Sequence, residues 1–135
     1  MTAARPSTSP LVLYPSAELA KFASQLQYSD IPEAVSLRCE DLFLDTMASI
    51  LAGSGARAVK AMAKYAERMG PADGKSEDFV NRRKTSPVFA AMVNAAASHV
   101  VEQDDVHNGS VFHPAAVIFP PALAVAQAIG ASGKD

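Results

Sequence analysis

The run Val88-Phe-Ala-Ala-Met-Val-Asn-Ala-Ala-Ala97, entered through Pro87, sets the tightest limit on the architecture. Alanine is the strongest helix former and has no long side chain to hold a neighbour away. The segment from about Pro87 through Val101 therefore reads as a buried central helix along which other helices approach closely. An apolar content of 49% in 135 residues is enough for one domain with a real core.

The flanking sequence supplies the partners. Ser16 suits the N-cap of a first helix, whose stripe of Leu19, Phe22, Ala23 and Leu26 ends near Ser29 and Asp30. Pro32 opens a second helix that carries Val35, Leu42, Phe43, Met47, Ile50 and Leu51 and is ended by Gly53 and Gly55. A third helix over 56–69 places Val59, Met62, Ala63 and Ala66 on one face and Lys60, Lys64, Glu67 and Arg68 on the other, until Gly70-Pro71 stops it. Residues 71–86 are polar, contain Pro71, Gly74 and Arg82-Arg83-Lys84, and predict an exposed connection. The last helix is expected from Pro120 or Pro121 to Ile129, since proline is tolerated in a first turn. The sequence leaves 114–119 open between a short helix and extended chain. With no strand pattern or internal repeat, the expected class is all-α, a helical bundle.

A formal net charge of −2, from 12 basic and 14 acidic residues in no large block, points to neither nucleic acid nor a membrane surface as partner. No segment reaches the roughly 18 apolar residues that span a bilayer. Residues 1–13 read as a flexible leader, because Leu11-Val-Leu-Tyr14 is too short for a signal-peptide core. Cys39, alone, forms neither an internal disulfide nor a thiolate metal site, which suits a reducing compartment and a cytoplasmic location.

All three histidines and three carboxylates fall within the sixteen residues from His99 to Pro114. Imidazole titrates nearest neutrality, and a neighbouring carboxylate can orient it and tune its basicity. His113 stands out, because the following Pro114 restricts its backbone to extended conformations. If Pro114 begins a helix, the helix N-terminus at His113 favours an anion and disfavours an imidazolium. A neutral ring beside a bound carboxylate is a good proton donor or acceptor, although a histidine here also serves simply to cap a helix. Asp104 and Asp105, being adjacent, point in different directions, so one can serve a site while the other holds the loop. Glu102 and His107 are weaker candidates. The set Asp104, Asp105, His107 and His113 has metal-compatible donors, but its spacing matches no helix-borne metal motif, so no metal is expected. A glycine-rich phosphate loop, a Gly-x-Ser-x-Gly elbow and a cysteine nucleophile in context are all missing from the sequence.

Taken in order, Leu44-Asp-Thr-Met-Ala-Ser-Ile-Leu-Ala-Gly53, Ala90-Ala-Met-Val-Asn-Ala-Ala-Ala-Ser-His99, Glu102-Gln-Asp-Asp-Val-His107 and His113-Pro-Ala-Ala-Val resemble the N-terminal part of the MmgE/PrpD family. That family includes 2-methylcitrate dehydratase, cis-aconitate decarboxylase and iminodisuccinate epimerase. The resemblance implies an incomplete N-terminal helical domain over 14–135, in a family whose members add a smaller α/β lid. It also implies a cofactor-free, usually homodimeric enzyme of lyase or isomerase type acting on small polycarboxylates. By position it assigns Asp104 or Asp105 to orientation and His113 to proton transfer or carboxylate binding, with Glu102 and His107 beside the substrate.

Dehydratase and decarboxylase members commonly have Asp at the Glu102 position and Thr at the Val106 position. Losing that hydroxyl argues against carrying over their substrates and places the chain nearer the epimerase-like and less characterised bacterial members. Because the chain stops at Asp135, before the lid, the resemblance implies a fragment with little activity alone. A complementing C-terminal chain would make it half of a split enzyme. The competing expectation is a non-catalytic helical interaction module that binds a partner or self-associates through exposed apolar faces.

Overall fold

The computed structural model describes residues 14–135, so the expected leader over 1–13 lies outside the described residues. Two compact units divide at Ile31. The first unit contains α1 (Pro15–Gln25), with Pro15 in its opening turn, and a 3-10 turn at Tyr28–Asp30 closed by the reciprocal pairing of Gln27 and Asp30. The helix thus ends earlier than the apolar stripe suggests. Leu19, Phe22 and Leu26 all remain exposed.

The second unit is built around α4 (Pro87–His99), flanked by α2 (Glu33–Gly53), α3 (Arg57–Met69) and α5 (Pro114–Ile129). Ala90, Val93, Asn94, Ala97 and Ser98 of α4 are all buried, as alanine content predicts. Ile50 and Val59 pack with Ala97 at one level, and Ala63 and Ala66 pack with Val93 at another. The close approach is literal at Gly53, where an added Cβ would overlap the Ala97 carbonyl oxygen. Phe43 of α2 meets Phe119 of α5 edge-on, with ring centroids 5.6 Å apart.

Two expectations need correction. The stretch 71–86 is not a plain exposed connection, because it contains a two-stranded antiparallel sheet, β1 (Ser76–Asp78) and β2 (Arg83–Thr85), in register Ser76↔Thr85 and Asp78↔Arg83. The architecture is therefore mainly helical rather than all-α. The hairpin lies polar-side-in, with Ser76, Asp78 and Thr85 buried, so hydrophobic alternation gives no sign of it. Hydrogen bonds replace apolar contacts there: Phe79 N–H donates to Asn94 Oδ1 at 3.0 Å, and Asn94 Nδ2 donates to Glu77 O at 2.9 Å. On the other side, Glu77 N–H donates to Gln127 Oε1 at 2.8 Å.

The second correction concerns the last helix, which starts at Pro114 and carries Pro120 and Pro121 in its interior. Neither proline offers an N–H to the carbonyl four residues earlier, an interruption that costs about 3 kcal/mol in an isolated helix. Packing on both sides outweighs it. Phe119 engages Phe43, Ala124 is buried and accepts from the Ser76 hydroxyl, and Gly130 ends the helix in the left-handed conformation at φ 72°.

Candidate functional site

The end of α4 and the start of α5 converge on one carboxylate. His99 lies in the last turn of α4, Asp104 and Asp105 in the following loop, and His113 at the N-cap of α5. The Asp104 side chain is 1% exposed. Its Oδ2 lies 3.0 Å and its Oδ1 3.3 Å from His99 Nδ1, and the same Oδ2 is 3.4 Å from His113 Nδ1. The two imidazoles meet edge-on, with centroids 4.9 Å apart. An ionised carboxylate only accepts, so the proton shared with His99 sits on Nδ1 and donates to Asp104.

Asp104 and Asp105, adjacent in sequence, engage different partners. Asp105 Oδ1 accepts the Ala115 N–H at 2.9 Å, satisfying an orphan donor in the first turn of α5. His113 holds the N-cap position, yet its side chain makes no capping hydrogen bond. Its buried Nδ1 makes no hydrogen bond at all, and faces Asp104 at ion-pair distance. Capping therefore belongs to Asp105.

Of the remaining expected residues, Glu102 reaches this cluster and His107 pairs elsewhere. Glu102 is exposed, takes a left-handed backbone at φ 53°, and places Oε1 3.6 Å from His99 Nε2. His107 lies in a tight turn whose ends bridge His107 to Phe112, and its Nδ1 pairs with Ser110 Oγ at 2.9 Å rather than with Asp104. Val111 in the same turn has φ 50°, an unfavourable conformation for a β-branched residue.

The residue that sequence reasoning passes over is His99. It counts among the three clustered histidines but falls in the expected central helix, and a lone histidine at a helix end gives no pattern of its own. Five-residue spacing from Asp104 becomes meaningful only when the chain turns back after α4. The hydrogen bond to Asp104 holds the His99 imidazole above its ordinary range, opposed by burial and reinforced by the charges of Asp104 and Glu102.

His99, Asp104 and His113 each offer a donor atom within 4.8 Å of the others. The positive end of α5 works against a cation at this point, and His99 already engages both carboxylate oxygens. The arrangement suits moving a proton or receiving an anion. A depression lined by Phe43, Met47, Ile50, Phe79, Phe119 and Leu123 is apolar and shares no residue with the cluster. Among the described residues, no helix is long and apolar enough to cross a membrane.

Comparison with known proteins agrees with the motifs. The chain is 33% identical over 111 residues to the cis-aconitate decarboxylase-like protein oryM of Aspergillus oryzae, covering 82% of this chain and 23% of that protein. It is also 33% identical over 120 residues to a cis-aconitate decarboxylase of Aspergillus terreus, covering 87% of this chain and 24% of that protein. The chain thus spans about a quarter of the length of these curated relatives. No solved structure gives a significant match. Residues 17–135 match the model of the MmgE/PrpD N-terminal domain, and the chain belongs to the MmgE/PrpD family.

Proposed function

We propose that this chain carries the proton-transfer residues of a lyase or isomerase acting on small polycarboxylates. The observation that carries the proposal is the buried Asp104 carboxylate held between two imidazoles, with His113 at the positive end of α5. Decarboxylation, dehydration and epimerisation of such substrates all make or break a bond beside a carboxylate, which calls for a positioned acid or base and a site for negative charge. Asp104 orients, His113 transfers a proton or binds a carboxylate, and the N-terminus of α5 favours the substrate anion. Asp105 supports that end of the helix. Glu102 and His107 line the approach as substrate-contacting residues.

Within the family, we place the chain on the epimerase-like or less characterised bacterial branch. The relatives it matches are a cis-aconitate decarboxylase and a decarboxylase-like protein, but Val106 offers no hydroxyl and Glu102 is one methylene longer than aspartate. The deciding experiment incubates the purified protein in D2O with cis-aconitate, 2-methylcitrate or iminodisuccinate and follows each by NMR. Deuterium entry beside a carboxylate, or product formation, that disappears in His113→Gln supports the proposal. Since the resemblance implies little turnover by this chain alone, failure to bind any of the three is the result that sinks it.

A second reading, the helical interaction module, is favoured by the exposed apolar residues of α5: Val117, Ile118, Val125 and Ile129. A homodimer or a complementing chain would cover them. Sedimentation with and without added polycarboxylate separates the two, since a module associates without any response to substrate.

A further inference from the structure

His99 and His113 reach the same carboxylate from opposite helix ends. His99 lies where the unpaired carbonyls of α4 create a negative terminus, and His113 where the unpaired N–H groups of α5 create a positive one. The first end favours an imidazolium and the second a neutral ring. Contacts divide the same way. His99 has carboxylate oxygens at both ring nitrogens, Asp104 at 3.0 Å from Nδ1 and Glu102 at 3.6 Å from Nε2, a setting that only the doubly protonated ring can satisfy. His113 has one, Asp104 Oδ2 at 3.4 Å from Nδ1.

Glu102 reaches only His99, so His113 has the Asp104 carboxylate alone, and shares it with a ring whose centroid is 4.9 Å away. No other titratable side chain occurs in α4 or α5. α2, which packs on both helices, carries Arg38, Glu40, Asp41 and Asp45, and among the described residues the ion-pair contacts to the two rings come from the loop: Glu102 and Asp104, with Asp105 engaged by Ala115 N–H and His107 by Ser110.

We infer that His99 is a positioning residue: as the imidazolium partner of Asp104 it anchors the carboxylate and carries the single positive charge, so that His113 stays neutral with its proton on Nδ1 and Nε2 bare for the substrate. The raised basicity of His99, caused first by its hydrogen bond to Asp104, agrees with this division. The long His113–Asp104 contact is of the kind that tightens when a substrate arrives. This inference rests on the proposal that His113 moves the proton, but its test needs no turnover.

The test is heteronuclear NMR of the imidazole rings in the isotopically labelled full chain near pH 7. In wild-type protein His99 is doubly protonated, and His113 is neutral with its proton on Nδ1. His99→Asn removes the charge while keeping a donor near the Nδ1 position, and His99→Ala removes both. Because the His99 side chain is 47% exposed, neither change opens a core cavity. In both variants the charge beside Asp104 passes to His113, read as loss of its neutral, Nδ1-protonated ring signature. A wild-type His113 with its proton on Nε2, or a His113 ring unchanged in both variants, overturns the inference. If the ring states behave as stated while the D2O incubation shows neither exchange nor binding, the charge division stands and the enzymatic proposal fails.

Discussion

His99 and Asp104, five residues apart in sequence, are joined by a 3.0 Å contact that pins the end of α4 to the loop before α5. Since the folded chain holds the His99 proton more tightly than the unfolded chain does, this pair stabilises the fold fully below the ordinary imidazole value of 6.5, and its contribution is lost as pH rises through the raised folded value. Denaturant titrations of wild type and His99→Ala will show a larger stability difference at about pH 6 than at about pH 9. A difference that grows with pH would contradict the pairing.

The two aspartates have separable jobs. Asp105→Ala removes the acceptor of the Ala115 N–H and is expected to cost about 0.5–2 kcal/mol. Hydrogen exchange will speed up in the first turn of α5 while the His99 ring resonances stay in place. Asp104→Asn does the reverse at the ring, returning His99 toward 6.5 in an NMR titration.

Asn94 is 1% exposed and holds the hairpin through both ends of its carboxamide. Asn94→Ala leaves the Phe79 N–H and the Glu77 carbonyl without these partners. We expect a loss of about 1–3 kcal/mol in chemical denaturation. Phe79 is expected to lose its amide protection first.

Val111 is 84% exposed at φ 50°, so its side chain gains little from packing while its backbone is strained. Val111→Asn, a residue that tolerates this conformation, should stabilise the protein by about 1 kcal/mol and raise the thermal midpoint. An unchanged or lowered midpoint would show that the turn is held by something other than tolerance of its backbone.

Local pattern is enough to place most helices: the polar and apolar faces of α3, the alanines of α4 and the stops at Gly53 and Gly70 each act within a few residues of themselves. The acid-and-imidazole stretch is visible for the same reason, and its four ordered motifs carry the family. Long-range packing decides the rest. Pro120 and Pro121 read as a helix start, yet burial of Pro120 and Ala124 and the Phe119–Phe43 contact carry α5 straight through them. The hairpin of β1 and β2 has no apolar alternation, and forms because Asn94 on the following helix and Ala124 and Gln127 on the distant α5 supply its hydrogen bonds. His99 gains a role by the same route: residue identity puts an imidazole at a helix end, but only the convergence of α4 and α5 gives it a buried carboxylate shared with His113. Propensity is a property of neighbours along the chain, whereas charge pairing and proline tolerance depend on what folding brings across space.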